Sequence, residues 1–379
     1  MASQGSLVII GASVRAAAFS ALRAGYQPWC CDLFGDRDLH LRVNARQIPP
    51  RHYPKKFVQL VENALDGSWM FTGGLENHPE LVQRIHQTRE LWGVSASQIR
   101  QLRNPDLLAH IYSHHGILHP RVQTQPPPDN ECWLQKPYRS VAGQRIQEWK
   151  SQRHINNEVY YQEYINGTST SAVYVGNGTT AELLGVTRQL IGESWLNATG
   201  FLYCGNIGVV DLNEKRTEAY RRIGNVLVTE FGLRGLFGID CILQGDTPYP
   251  VEVNPRYTAS VEVIEYSLGL TALTMHRHGC VENRDLSFPQ NSTRLVAGKA
   301  IYYAPETFVF PEVGPWTREL NPQRNLFEMP EFADIPDAGH TIEARHPVFT
   351  FFTAGTCVSE VYQLLQKKAE TIPGLLGIG

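Results

Sequence analysis

The sequence predicts a mixed α/β and α+β chain in three parts, and three observations predict it. The first hundred or so residues alternate apolar strand-like runs with helix-like runs, the pattern of a doubly wound α/β layer. From about residue 132 the texture changes to short β-rich runs split by turn residues. The tail from about residue 290 returns to mixed short strands and ends in a helix near 356–371. A chain of 379 residues also exceeds what one ordinary core supports.

Each element has a local reason. "SLVII", residues 6–10, is a short apolar strand ending at Gly11. In "ASVRAAAFSALRAGY", Val14, Ala18, Ala21 and Leu22 recur at helical spacing, and Gly25 stops the helix. "QPWCCDLFGD" is a second strand ending in Asp32. Gly73-Gly74 form a loop, and Asn77, Pro79 and Glu80 start a helix. Residues 97–115 read as one helix closed by Gly116, and 123–131 as a Pro-rich connector. Strands follow in "CWLQKP", "EVYYQEYI", "TSAVYVGNGTTAELLGVTRQLIG" and "GFLYCGNIGVV", then a helix over about 214–231. "LFGIDCILQGDTPYPVEVN" reads as a hairpin turning at Gly245-Asp246, before a helix over about 259–276.

Composition excludes several classes of function. The formal charge is −3, with 42% apolar and 19% charged residues, a globular balance without the footprint of a nucleic-acid or membrane-surface protein. Seven cysteines, odd in number and without CxxC, fit reduced thiols in a cytoplasm. No apolar run approaches the roughly 20 residues of a membrane span. The N-terminal "IIGASVRAAAF" carries only Gly11 of the G-x-G-x-x-G pattern, so the first layer reads as structural.

Chemistry concentrates in four features taken in order. "WLQKP" ends a strand on Lys136, a point charge suited to phosphate. "RSVAGQRI" is a small-residue loop around Gly143, flanked by Arg139 and Arg145, whose backbone N–H groups can cover phosphates. "YYQEYINGTS" ends a strand at Glu163, where free backbone groups could meet an adenine edge. "GIDCILQGDTPYPVEVNPR" faces Asp240 with Glu252 and Asn254 on the next strand. Two carboxylates and an amide oxygen suit Mg²⁺, whose shell water and phosphate complete. In "GVTRQLIG" only one of Arg188 and Gln189 can face such a site, and Arg188 is expected to. Tyr203, Asn206 and the glycines of "YCGNIG" are candidates for an acceptor site.

From about residue 5 to 285 the chain resembles the ATP-grasp superfamily of carboxylate–amine ligases, most specifically in "GIDCILQGDTPYPVEVNPR". The resemblance implies an N-terminal α/β domain over 1–96, an ATP-grasp domain of two α+β subdomains over 97–288, and a small β-rich domain over 289–379. It implies ATP and Mg²⁺, with Mn²⁺ able to substitute. Lys136 would contact the α- and β-phosphates, and Ser140–Arg145, with Ser140, Gly143 and Arg145, would be a mobile lid. Glu163, Tyr164 and Ile165 would form the adenine hinge. Asp240, Glu252 and Asn254 would bind the metal, and Arg256 would face the acyl phosphate or substrate carboxylate. Two departures bear on the nucleotide. Pro105 stands where the family usually has a lysine, leaving Arg100 or Arg103 to compensate, and Ser169 replaces a ribose-binding Glu.

"IIGASVRAAAFSALRAGY", "DLFGD" and "GVTRQLIG" resemble an uncharacterised branch associated with tetrahydromethanopterin- and methanofuran-linked C1 metabolism, which brings a relative of tyramine–glutamate ligase into view. The tail resembles the C-terminal domain of biotin-carboxylase-like and carboxyaminoimidazole-ribonucleotide-synthase-like enzymes. The implied reaction makes an acyl phosphate from a carboxylate and ATP. A small-molecule amine then displaces phosphate, with ADP and phosphate released. The same ATP site on another acceptor would make a carboxylase or kinase, and reduced catalysis would leave a nucleotide-binding protein. The implied protein is cytoplasmic, with no membrane or nucleic-acid partner, and a homodimer is compatible with it.

Overall fold

Four parallel strands make the first layer of the computed structural model, which describes residues 4–128, 131–151, 158–281 and 295–378. They are β1 (Ser6–Ile10), β2 (Gln27–Asp32), β3 (Asn44–Gln47) and β4 (Ser68–Phe71), ordered β3-β2-β1-β4. Helices α1 (Arg15–Arg23), α2 (Arg37–His40) and α3 (Lys56–Glu62) connect them. Leu7, Val8, Ile9 and Ile10 are fully buried, as a strand covered on both faces requires. A Cβ at Gly11 would fall 2.0 Å from Thr72 Oγ1, so this glycine serves close packing against the end of β4. The Asp32 carboxylate accepts the backbone N–H groups of Val14 (3.1 Å) and Gly35 (3.0 Å). Both features are structural, as expected of this layer.

Helix α4 (Pro79–His86) leads into α5 (Ala96–Leu102) and α6 (Pro105–His114), where one helix was expected over 97–115. Proline has no N–H to continue the ladder but fits the first turn, and Asn104 caps α6 by accepting from Leu107 N at 3.1 Å. The break leaves Arg103 at the joint. Strands β5 (Val122–Gln123), β6 (Trp133–Pro137), β7 (Gln147–Glu148) and β8 (Val159–Glu163) then form an antiparallel sheet ordered β5-β8-β6-β7.

The largest sheet is antiparallel and ordered β13-β12-β9-β10-β11-β14-β18-β16. Its strands are β9 (Thr168–Asn177), β10 (Ala181–Ile191), β11 (Tyr203–Gly208), β12 (Arg234–Gln244), β13 (Thr247–Asn254), β14 (Val296–Tyr303), β16 (Phe332–Ala333) and β18 (Pro347–Gly355). A separate ribbon pairs β15 (Phe308–Val309) with β17 (Thr341–Ile342). Gly245, in the left-handed region at φ +60°, makes the expected hairpin turn between β12 and β13. Helix α7 (Glu214–Phe231) covers one face, where Tyr220 meets Thr170 and Tyr174. The expected helix over 259–276 is divided by Gly269 into α8 (Ala259–Leu268) and α9 (Ala272–Val281). The domain boundary expected at 289 lies outside the described residues. Strand β14 after it pairs with β11, so the tail extends the central sheet before α10 (Val358–Leu376) closes it.

Buried ion pairs tie these layers around the exit of β13. Arg15 on α1 pairs with Glu262 on α8, and its Nε lies 2.9 Å from Asp334 Oδ1. Lys299 on β14 reaches the other oxygen of Glu262 at 3.0 Å. Such charges are tolerated in a core because each is paired. Among the described residues no helix is long and apolar enough to cross a membrane.

Candidate active site

Register places the acidic residues together. Asp240 stands opposite Glu252, and Gly238 opposite Asn254, so Asp240, Glu252 and Asn254 share a face of the hairpin. Ser171 on β9 is in register with Asp240 and faces away from α7, because its neighbour Thr170 bonds Tyr220. Asn254 Nδ2 donates to Asp240 Oδ2 at 3.0 Å, and Asn254 Oδ1 accepts from Arg256 Nη2 at 3.0 Å. Arg256 also donates through Nε to Glu76 Oε1 at 2.8 Å. Glu252 Oε1 accepts from Arg103 Nη1 at 2.8 Å.

Two carboxylates facing each other in a half-buried site leave one of them uncomfortable. Burial and then the charge of Glu252 push the Asp240 carboxyl up to about 6, against hydrogen bonds from Ser171 and Gln189. Burial would also raise Glu252, but Arg103, then Lys136 and Arg256, outweigh it and hold it below the usual range. A cation between the two would relieve Asp240. Among the described residues no three His, Cys, Asp or Glu gather in a way that could hold a metal ion, so a cation here would rest on the two carboxylates and the amide. Two hard carboxylates suit Mg²⁺ or Mn²⁺, and Asn254, whose amide nitrogen faces Asp240 while its oxygen takes Arg256, would join them by turning its amide over.

Next to this pair a cleft opens between β6, β8, β13 and the α5–α6 joint. Lys136 is 6% exposed, and its Nζ donates to Gln162 Oε1 (3.0 Å) and Val251 O (3.2 Å). The ring of Tyr160 lies 5.8 Å from the same ammonium. Leu108, Tyr112, Val122 and Val253 supply apolar walls, and Ser140 stands at the rim.

The loop expected as a lid is docked. Ala142, Gly143 and Arg145 all have left-handed backbone, at φ 55°, 74° and 63°. Tyr203 N donates to Ala142 O at 3.0 Å, and Asn77 Nδ2 to Ser140 O at 3.2 Å. Gly143 approaches the Phe201 carbonyl so closely that a Cβ would lie 1.9 Å from its oxygen. Arg145 folds back to donate to Arg139 O at 2.7 Å.

Several expected residues lie elsewhere. Arg188 is a correction. Its guanidinium stacks on Tyr362 of α10 at 4.7 Å, and its register partner Thr170 faces α7. Strand alternation thus gives the site to Gln189, which reaches Asp240. The Glu163 side chain is held outside by Arg121 at 3.1 Å, so only its backbone could serve a hinge, while Tyr160 and Gln162 of the same strand line the cleft. Tyr164 is exposed, and Ile165 is half-buried in the turn that follows. Ser169 lies two residues from Ser171 on the same strand face, opposite Ile242. Asn206 pairs with Gln189 across β11 and donates to Thr187 Oγ1 at 2.8 Å, which puts it on the Asp240 face. Of the two arginines expected to compensate for Pro105, Arg103 reaches the site, whereas Arg100 bonds Gln83 at the surface. Glu76 and Asn77 are additions no strand pattern pointed to, because they enter from the first layer through the Gly73-Gly74 loop.

The geometry is that of an ATP-grasp fold, and residues 108–260 match the model of the ATP-grasp domain family. The chain is 25% identical over 223 residues to an uncharacterized protein of Methanocaldococcus jannaschii, covering 57% of this chain and 49% of that protein. It thus spans about half the length of that curated relative. Among solved structures, an L-amino acid ligase from Bacillus licheniformis superposes with a TM-score of 0.70 at 14% identity, over 98% of both chains. N5-carboxyaminoimidazole ribonucleotide synthetase from Thermotoga maritima gives 0.65 at 12% identity, over 96% of this chain and 98% of that one. The biotin carboxylase domain of a 2-oxoglutarate carboxylase from Hydrogenobacter thermophilus, solved as a dimer with MgADP, ADP and bicarbonate, gives 0.72 at 12%, over 97% and 92%. At these identities the likeness establishes the shared fold.

Proposed function

We propose that the chain is a Mg²⁺-dependent ATP-grasp ligase that activates a small-molecule carboxylate as an acyl phosphate and joins it to an amine. The observation that carries this reading is the facing pair Asp240 and Glu252, with Asn254 beside it and Lys136 across a cleft of mixed apolar and cationic lining. When bound, Mg²⁺ would neutralise charge developing on the phosphate oxygens. Asp240, Glu252 and Asn254 would hold it. Lys136, fixed by Gln162 and the Val251 carbonyl, presents a positioned charge to phosphate. Arg256, aimed by Glu76, offers the open end of the strand a guanidinium for a carboxylate or its phosphorylated form. The docked Ser140–Arg145 lid excludes water that would hydrolyse an acyl phosphate. The backbone of Glu163, Tyr164 and Ile165 is the proposed adenine hinge, and Ser169 is proposed to lie toward the ribose.

The deciding assay measures ADP release with ATP, Mg²⁺ and pooled amino acids, amines and cofactor precursors, with tyramine and glutamate included because of the C1-metabolism resemblance. ADP release that needs both an acid and an amine, with an amide in the products, supports ligation. Release with bicarbonate or a phosphoryl acceptor alone would replace it by the carboxylase or kinase reading.

Two smaller effects follow. Lys136→Ala weakens ATP binding about tenfold by titration calorimetry, the size of one charge-assisted hydrogen bond; an unchanged affinity removes its phosphate role. Divalent-cation binding is also pH-dependent. Asp240 must be ionised to act as a ligand, and its proton leaves at about 6. Mn²⁺ affinity is therefore flat at neutral pH and falls as pH drops below that value, by about tenfold per unit. Asp240→Asn removes the slope. A wild-type affinity that stays flat down to pH 5 refutes the role of Asp240.

A further inference from the structure

Arg103 stands where three parts of the site meet. Nη1 donates to Glu252 Oε1 at 2.8 Å. Nη2 donates to Tyr138 O at 3.0 Å and to Asn77 Oδ1 at 3.1 Å. Asn77 then donates from its amide nitrogen to Ser140 O at 3.2 Å. One guanidinium thus holds a metal-ligand carboxylate and, directly and through Asn77, two carbonyls at the root of the lid. It also lines the same cleft as Lys136.

We propose that Arg103 and the divalent cation compete for Glu252, and that Arg103, once displaced, turns to the nucleotide phosphates. The proposal rests on the reading of Asp240, Glu252 and Asn254 as a metal site. A cation taken up by Glu252 would stand beside the guanidinium that holds its Oε1, and the two like charges repel. The displaced guanidinium finds its next anion a few ångströms away in the cleft, where a phosphate offers the two-pronged acceptor it suits.

The test measures Mn²⁺ binding to nucleotide-free protein by electron paramagnetic resonance, and ATP binding in saturating Mn²⁺ by calorimetry. Arg103→Gln is expected to bind Mn²⁺ about tenfold tighter, because its competitor is gone, and ATP about tenfold more weakly. Arg103→Lys should stay near wild type for Mn²⁺, and Arg100→Gln, which alters only surface charge, should leave both affinities unchanged. Opposite signs for metal and nucleotide cannot arise from a merely loosened scaffold, which would weaken both. If wild type binds Mn²⁺ and Arg103→Gln binds it equally or less well, the competition is overturned while the metal site stands. If neither protein binds Mn²⁺ at millimolar concentration, the metal reading falls and takes the proposal with it.

Discussion

Glu252→Gln is expected to lower the proposed ATP-dependent turnover by about 10²–10³-fold, the cost of losing one preorganised charge at a transition state. The fold should survive. Glutamine keeps the shape of the side chain and still presents an oxygen to Arg103, which retains Tyr138 O and Asn77 as partners. Glu252 also sits on an edge strand, so no ladder beyond β12 depends on it. A second consequence separates this variant from a general loss of structure. Asp240 is raised by burial and then by the charge of Glu252, so removing that charge lowers its pKa toward the ordinary carboxylate value. The residual Mn²⁺ affinity of Glu252→Gln should then begin to fall at lower pH than that of wild type. ADP release measured beside a thermal melt checks the first claim, and turnover within tenfold of wild type would remove Glu252 from the metal site.

How much of this could be read from the sequence depended on which physical period carried it. The hairpin was legible because alternation places Asp240, Glu252 and Asn254 on one face, and because Gly245-Asp246 is a turn pair between two apolar runs. Lys136 stood out as the one charge in the strand Trp133–Pro137, and it lines the cleft. Alternation failed where two polar residues are adjacent. In "GVTRQLIG" the pattern says that Arg188 and Gln189 point opposite ways but not which way the core lies, and that was decided by Tyr220 and Tyr362, helical residues remote in sequence. For Glu163 the pattern likewise leaves the side chain's direction open; its strand presents Tyr160 and Gln162 to the cleft, and the hinge proposed there uses backbone groups. The helix break at Pro105 was missed because the apolar spacing runs on through it, although the Asn104 cap is a local signal for it. Glu76, Asn77 and Arg103 obey no periodicity. They reach the site from loops and joints of other layers, and the pairing of Arg15 with Glu262, 247 residues apart, is of the same kind.

Gly143→Ala is expected to cut turnover about 10²-fold while ATP affinity changes little. Two independent penalties act on one methyl. The backbone at φ +74° is a left-handed conformation that a Cβ disfavours, by about 1 kcal/mol. The new Cβ would also lie 1.9 Å from the Phe201 carbonyl oxygen, and the obstacle is backbone rather than a side chain that can turn aside. The loop must therefore back away from residues 201–203, breaking the bond from Tyr203 N to Ala142 O. Misplacing a closing element by an ångström or so costs on the order of 10² in rate when it must exclude water and complete the site. If the proposed ligation holds, the variant should also release more ADP per amide formed, because water would reach the acyl phosphate through the lifted lid. Gly245→Ala is the matched control. It meets the same left-handed strain at φ +60°, yet nothing stands within 4 Å of its Cβ. If the two variants behave alike, strain alone is responsible and lid docking is not part of the mechanism; if only Gly143→Ala uncouples ADP release from product, contact with Phe201 is what the closed lid requires.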